Sequence, residues 1–384
     1  MSLPRHQDRR VQRGRRDGSR ERIRYAVVGL GHIAQNAVLP AFENAARNSE
    51  LAALISDDKA KLKKLGDGYC VPARYSYDRF EESLEEAQID AVHIALPNDM
   101  HEDYTVRAAR AGVHVLCEKP LAVTAKECQR MISECRRRRV KLMTAYRLHF
   151  DPANLEAIEL LRSGRLGEPR VFNSLFSFQV KAGNIRVKPQ KGGGTLYDIG
   201  IYCINAARYL FQAEPLEVFA STARRADKRF RGIEEMTSAI MRFPDNRVAN
   251  FTCSFGAAAE ARYEVLGTKG LLRLANAYEY ELPMELELME DEQKKVHSYK
   301  KRDQFAPELI YFSDCILQDR KPEPSGEEGL IDIKIIEALY ESARRGVPVK
   351  VGTLPRVRHP RGDQRFTWPS PKKPKLLHVQ APTE

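Results

Sequence analysis

Short apolar runs alternate with helix-like stretches through the first 147 residues. Segments 23–28, 51–55, 89–96, 113–117 and 141–146 read as buried strands, because strands covered on both faces are almost continuously apolar. Helical patterns lie between them: one reaches about Arg47, one begins near Lys59, and one starts at Thr124. The last ends in Arg136-Arg137-Arg138-Arg139, charges that suit a helix C-terminus. This alternation predicts an α/β N-terminal Rossmann domain with a doubly wound parallel sheet. After Asp151-Pro152 the pattern changes. A helix is expected to about Ser163, then strands near 171–180, 216–225, 236–244, 247–255, 261–266, 271–275 and 284–290, with closing helices at about 305–319 and 327–345. That order predicts an α+β C-terminal domain with an open, mostly antiparallel sheet. The chain thus divides into a basic arm (1–22), a nucleotide-binding unit (23–147), a substrate-binding and oligomerisation unit (148–351) and an extended Pro-rich basic tail (352–384).

The first strand ends in Gly29-Leu30-Gly31-His32-Ile33-Ala34, a G-x-G-x-x-A turn opening a helix. The first glycine permits a tight turn, the second lets a pyrophosphate approach the backbone, and the small Ala34 lets helix pack on strand. The helix N-terminus offers N–H groups and partial positive charge to phosphate. At the tip of the second strand, where an acidic residue would bind both ribose hydroxyls, stands Ser56, with Lys59, Lys61 and Lys63 beyond it. This favours NADP, while Asp57 one place later keeps NAD possible. His93 inside the third strand reads as an internal, hydrogen-bonded residue. Pro97-Asn98-Asp99-Met100-His101 follows at the carboxyl end of that strand, where ligands gather; Asn98 is either a cofactor contact or a helix cap. His101-Glu102 lacks the spacing of a metalloprotease helix, so no metal is expected.

Composition narrows the class. A chain of 384 residues suffices for about two domains, and no apolar run is long enough to cross a bilayer. The net charge of +11 is carried by the ends: residues 1–24 hold +6 and residues 354–384 hold +5, leaving the body neutral. Nucleic-acid binding by the body is therefore not expected. Arg9-Arg10 and Arg15-Arg16 are not followed by the apolar segment of an export signal, so the arm reads as a polar extension that wraps a neighbouring subunit. Seven scattered cysteines without a C-x-x-C pair point to a reducing compartment. The cytoplasm is expected, or the periplasm if a leader has been removed.

Two segments carry candidate chemistry. Glu118-Lys119-Pro120 follows a strand at the end where a nicotinamide would lie. Gly192-Gly193-Gly194 lets backbone pass close to a neighbour, and Asp198 and Tyr202 beyond it are four apart, on one helix face. Tyrosine serves in proton transfer when a neighbouring ammonium stabilises the phenolate, and Lys119 is the candidate partner. A buried amphipathic helix would also account for this spacing.

The set Gly29–Ala34, Pro97-Asn98, Glu118-Lys119-Pro120 and Gly192–Asn205 resembles the Gfo/Idh/MocA oxidoreductases in order and spacing over about residues 22–350. Tyr202 stands where D-x-G-x-H is common in that family, and Tyr146–Pro152, the long arm and the Pro-rich tail are similar to the glucose–fructose oxidoreductase-like branch. The resemblance implies catalysis by Lys119, Asp198 and Tyr202. It implies sugar contacts from Lys119, Tyr146, Asp198 and Tyr202, and cofactor contacts from Gly29, Gly31, His32, Ile33, Ser56, Lys61, Pro97, Asn98, His101, Glu118, Lys119 and Arg147. It further implies NADP (or NAD), hydride transfer at C1 of an aldose, and a homodimer or homotetramer with no nucleic-acid or membrane partner. A dihydrodiol-type dehydrogenase or a non-catalytic nucleotide sensor are the alternatives within the same family.

Overall fold

The computed structural model describes residues 22–379 and 381–383, so the arm, apart from Arg22, lies outside the described residues. Six strands form one all-parallel sheet: β1 (Ile23–Val28), β2 (Ser49–Ile55), β3 (Ala73–Tyr75), β4 (Ala91–Ile94), β5 (His114–Glu118) and β6 (Leu142–Ala145). Their order, β3-β2-β1-β4-β5-β6, reverses direction between β1 and β4. A crevice opens there at the carboxyl ends of the strands. Helices α1 (Leu39–Ala45), α2 (Lys59–Gly68), α3 (Phe80–Glu86), α4 (His101–Arg110) and α5 (Ala125–Arg138) connect them. A π-turn at Ala34–Val38 precedes α1, with Ala34 fully buried against the sheet. Thr124 caps α5 in a capping box with Glu127.

After α6 (Pro152–Arg162), nine strands form a second sheet in the order β14-β13-β12-β11-β7-β10-β9-β8-β15. They are β7 (Pro169–Ser177), β8 (Glu217–Ala223), β9 (Met236–Arg242), β10 (Val248–Ser254), β11 (Glu260–Gly267), β12 (Gly270–Ala275), β13 (Met284–Glu290), β14 (Gln293–Tyr299) and β15 (Val349–Lys350). Only β7 and β10 pair in parallel. Alternate residues such as Phe172, Met241, Phe251, Tyr263 and Leu272 bury one face. Helices α6, α7 (Ile201–Phe211) and α9 (Gly326–Arg345) cover it. The helix α8 (Ala306–Leu317) returns to the first sheet, where its Ser313 hydroxyl meets Tyr25 and Ser49 at 2.8 Å each. The two sheets are therefore joined by helices that leave one and pack on the other. Among the described residues, no helix is long and apolar enough to cross a membrane. All seven cysteines are free thiols.

Candidate active site

The crevice between β1 and β4 leads into a cavity of about 500 Å³. In the turn after β1, Gly29 has φ +94°, and a Cβ there would stand 2.6 Å from the Ala95 carbonyl oxygen. Gly31, two residues on, has no protein atom within 4 Å of such a Cβ, so the turn is tight behind and open in front. That is the shape a pyrophosphate needs against backbone, and the residues fit a dinucleotide. His32 and Ile33 continue from the turn into the cavity wall. Burial pushes the His32 imidazole below its usual pKa, and the Arg186 charge adds to this.

Lys119 leaves the end of β5 on the turn before Pro120. Its ammonium donates to the Asp198 carbonyl (2.7 Å) and to Asp198 Oδ1 (3.3 Å), and lies 4.7 Å from the centroid of the Tyr202 ring. Arg186 Nε donates to the other carboxylate oxygen, Asp198 Oδ2, at 2.5 Å. Burial alone would raise the Asp198 pKa; Arg186 and Lys119 more than offset it and hold the carboxyl below the ordinary value. The Arg147 guanidinium lies 5.0 Å from the Tyr202 ring centroid, held by the Tyr278 carbonyl and by Gln304. Thus two cations flank one phenol ring, and the carboxylate four residues earlier holds one of them in place.

The glycine run closes this arrangement. Asn98 Nδ2 donates to the Gly192 carbonyl at 2.8 Å, linking β4 to the loop before Asp198. A Cβ on Gly193 would stand 2.4 Å from the Arg186 carbonyl, so the close approach is to the loop that delivers Arg186. Asn98, Glu118, Lys119, Arg147, Asp198 and Tyr202 all line the cavity.

Other expected residues lie elsewhere. The Tyr146 side chain, expected to touch substrate, is buried near Asp332 and is not among the residues that line the cavity. His101 is also buried: its ring nitrogens sit 2.9 Å from the carbonyls of Pro120 and Leu96. Expected as a cofactor contact, it braces the Lys119 turn through the Pro120 carbonyl and is not among the cavity's lining residues. Pro97 stays outside the lining although its neighbours Leu96 and Asn98 are in it. Ser56 and Lys61 lie at the β2–α2 turn beyond the cavity, where Lys61 is 3.8 Å from Asp58. Sequence reasoning missed Arg186, Tyr278 and Tyr280. Arg186 comes from an aperiodic loop with no motif to mark it, and the tyrosines follow a strand as ordinary core aromatics would.

The family profile described as "Oxidoreductase family, NAD-binding Rossmann fold" matches residues 23–146, and the "GFO/IDH/MocA C-terminal domain" profile matches residues 154–273. The chain belongs to the GFO/IDH/MocA oxidoreductases. As a member of that family it is an NAD(P)-dependent oxidoreductase. A D-xylose 1-dehydrogenase [NADP(+)] of Haloarcula marismortui is 30% identical to it over 337 residues, spanning 86% of this chain and 93% of that protein. An aldose-aldose oxidoreductase from Caulobacter crescentus, complexed with glycerol, superposes with a TM-score of 0.82 at 37% identity, covering 86% of this chain and 99% of that one. A 3-ketoreductase from Actinomadura kijaniata in complex with NADP and TDP-benzene gives 0.76 at 28% identity, covering 84% and 98%.

Proposed function

We propose that this member of the family transfers a hydride between C1 of an aldose and the nicotinamide of NADP, with Tyr202 as the proton-transfer group. The observation that carries the reading is the meeting of Lys119, Asp198 and Tyr202 in one cavity below the glycine turn. The aldose-directed relatives support C1 as the reacting carbon. When bound, the nucleotide supplies a hydride acceptor at its nicotinamide ring. In the oxidative direction the C1 hydroxyl gives its proton to the Tyr202 side chain in its phenolate form, and the sugar, having also lost its C1 hydride, leaves as its lactone. Lys119 holds the hydroxyl and stabilises the negative charge developing between it and the phenol. Asp198, itself held by Arg186, keeps the lysine aimed.

NADP is favoured at the ribose end because neither nearby carboxylate is positioned as a ribose grip. Asp57 Oδ1 accepts from the Tyr77 amide (3.0 Å), and Asp58 caps α2 through the Ala60 and Lys61 amides. Lys61, 3.8 Å from Asp58, and the exposed Lys59 bring positive charge to the end where a 2′-phosphate would lie. The decisive assay is to denature the purified protein, identify the released nucleotide, and screen aldoses for reduction of that nucleotide. Tyr202→Phe should lower turnover by roughly 100- to 10,000-fold, the usual share of general acid–base catalysis, with nucleotide affinity intact. Full activity in that variant would remove Tyr202 from the chemistry. The free thiols suit a cytoplasmic protein. The uncovered face of the nine-stranded sheet suits pairing with a second copy.

A further inference from the structure

The tail after Gly352 carries one short 3-10 turn at Gly362–Gln364, yet it keeps a defined path. Its first part is pinned by apolar contact: Phe366 packs on Phe150 with ring centroids 5.9 Å apart, and the Trp368 carbonyl accepts from the Asp303 amide at 3.1 Å. Pro369 closes that part, its carbonyl accepting from Asn44 Nδ2 at 2.9 Å. The next residues, Ser370-Pro371-Lys372-Lys373-Pro374-Lys375, have little to bury. They are nevertheless led straight to the nucleotide crevice. Lys373 pairs with Glu281 at 3.2 Å.

Gln35 directly follows the last residue of the glycine turn and is buried. It clamps Leu377 through both backbone groups, donating to its carbonyl at 2.9 Å and accepting from its amide at 2.8 Å. His378 meets Asp58 at the α2 cap, 3.0 Å away, beside the ribose end of β2. The tail then crosses to the second sheet's side, where the Lys181 amide donates to the Pro382 carbonyl at 3.0 Å and Thr383 bridges Val180. Lys373, Leu376 and the stretch Ala381-Pro382-Thr383 line the same cavity as His32 and Tyr202.

We propose that residues 370–379 and 381–383 are a strap across the dinucleotide crevice, forming its outer wall and setting the rate at which nucleotide leaves. The strap is fastened on the first sheet's side at Gln35 and Asp58 and on the second sheet's side at Val180 and Lys181. A molecule lying between the glycine turn and the tail cannot depart until one fastening opens. The prolines limit the freedom lost when the strap closes, and its lysines bring positive charge to a polyanion. The proposal rests on the nucleotide site of the reading above and not on the identity of the sugar.

The test compares the full chain with one ending at Pro369, using two readouts. These are the nucleotide that co-purifies per protomer after denaturation, and NADPH release followed by fluorescence upon displacement with excess NADP. Truncation should speed release by at least about tenfold with a smaller change in association, since affinity differences of this kind lie mostly in dissociation. Unchanged release overturns the strap. So does tighter binding after truncation, which would make the tail an occupant of the nucleotide's own space. Trypsin gives an independent measurement on the intact chain: saturating NADP should slow cleavage after Lys372 and Lys375, and equal cleavage with and without nucleotide overturns the proposal. A full chain that retains NADPH but oxidises no aldose would sink the substrate assignment alone. One that binds neither NADP(H) nor NAD(H) would sink both.

Discussion

Asp198 answers to two cations, and removing one should be visible in the pH–rate profile. Burial raises its pKa, while Arg186 and Lys119 pull it below the ordinary value. In Arg186→Gln the effect of burial is less opposed, so the carboxyl protonates at higher pH. A protonated Asp198 no longer holds the ammonium, and the acid limb of kcat/KM should move to higher pH. Arg186→Lys should move it less. An unmoved limb in Arg186→Gln would mean that Asp198 does not aim Lys119. That Lys119, Asp198 and Tyr202 share one cavity was legible in the sequence because each sits in a motif whose neighbours are constrained: a strand end with a proline, and a helix start after three glycines. Nothing local announced Arg186, whose value lies entirely in a contact made across an irregular loop. Tyr146 stands outside that cavity. It adjoins Arg147 in sequence, but where a strand ends, neighbouring side chains leave on opposite sides. Arg147 therefore lines the cavity while Tyr146 turns to the buried Asp332.

Elements read well where hydrophobic period and turn chemistry agreed, and the glycine turn shows how far that agreement reaches. Its two glycines do different work, so their alanine variants should separate. Gly29→Ala asks an L-residue to adopt φ +94° against the Ala95 carbonyl. It should cost about 1–3 kcal/mol of folding stability in urea denaturation. Gly31→Ala meets no protein atom and should unfold like the parent, yet bind NADP about tenfold or more weakly, each decade being about 1.4 kcal/mol. If both variants lose stability equally, the open front of the turn is not the nucleotide's seat. The strands β1, β2 and β5 were legible as apolar runs, as were the alternating strands of the second sheet. The strand β14, Gln-Lys-Lys-Val-His-Ser-Tyr, was not. All its residues but Tyr299 are exposed, so edge pairing with β13 defines it and no apolar period does. The short β3 and α3 were missed because tertiary packing, more than local pattern, holds them in place.

At the scale of the whole molecule, the uncovered face of the nine-stranded sheet makes the strongest demand. Strand registry puts Phe219, Ile240, Val248, Val171, Leu266, Leu271 and Met289 on that one face. Ile240 is 43% exposed and Met289 39%. Phe219 and Ile240 begin a cross-strand row that continues as a polar line, in which Asn250 donates to Asn173 at 3.2 Å and Asn173 donates to Glu264 at 3.3 Å. Arg273 and Lys294 then tie Glu264 to Glu287. An apolar row beside a polar line whose groups are already paired is what a face needs to pair with another copy of itself without burying loose charge. The sequence hinted at this face through its alternation, but which strands lie side by side was fixed only by the crossover that sets β7 beside β10. Ile240→Glu places a carboxylate at the centre of such a pairing while touching nothing buried in the single chain. The variant's own folding stability should stay within about 0.5 kcal/mol of the parent, as for ordinary surface changes. Sedimentation velocity should then show the parent as a dimer or larger and Ile240→Glu as a monomer. A parent that sediments as a monomer across micromolar concentrations would remove the pairing. A variant that keeps the parent's assembly would move the contact to another face.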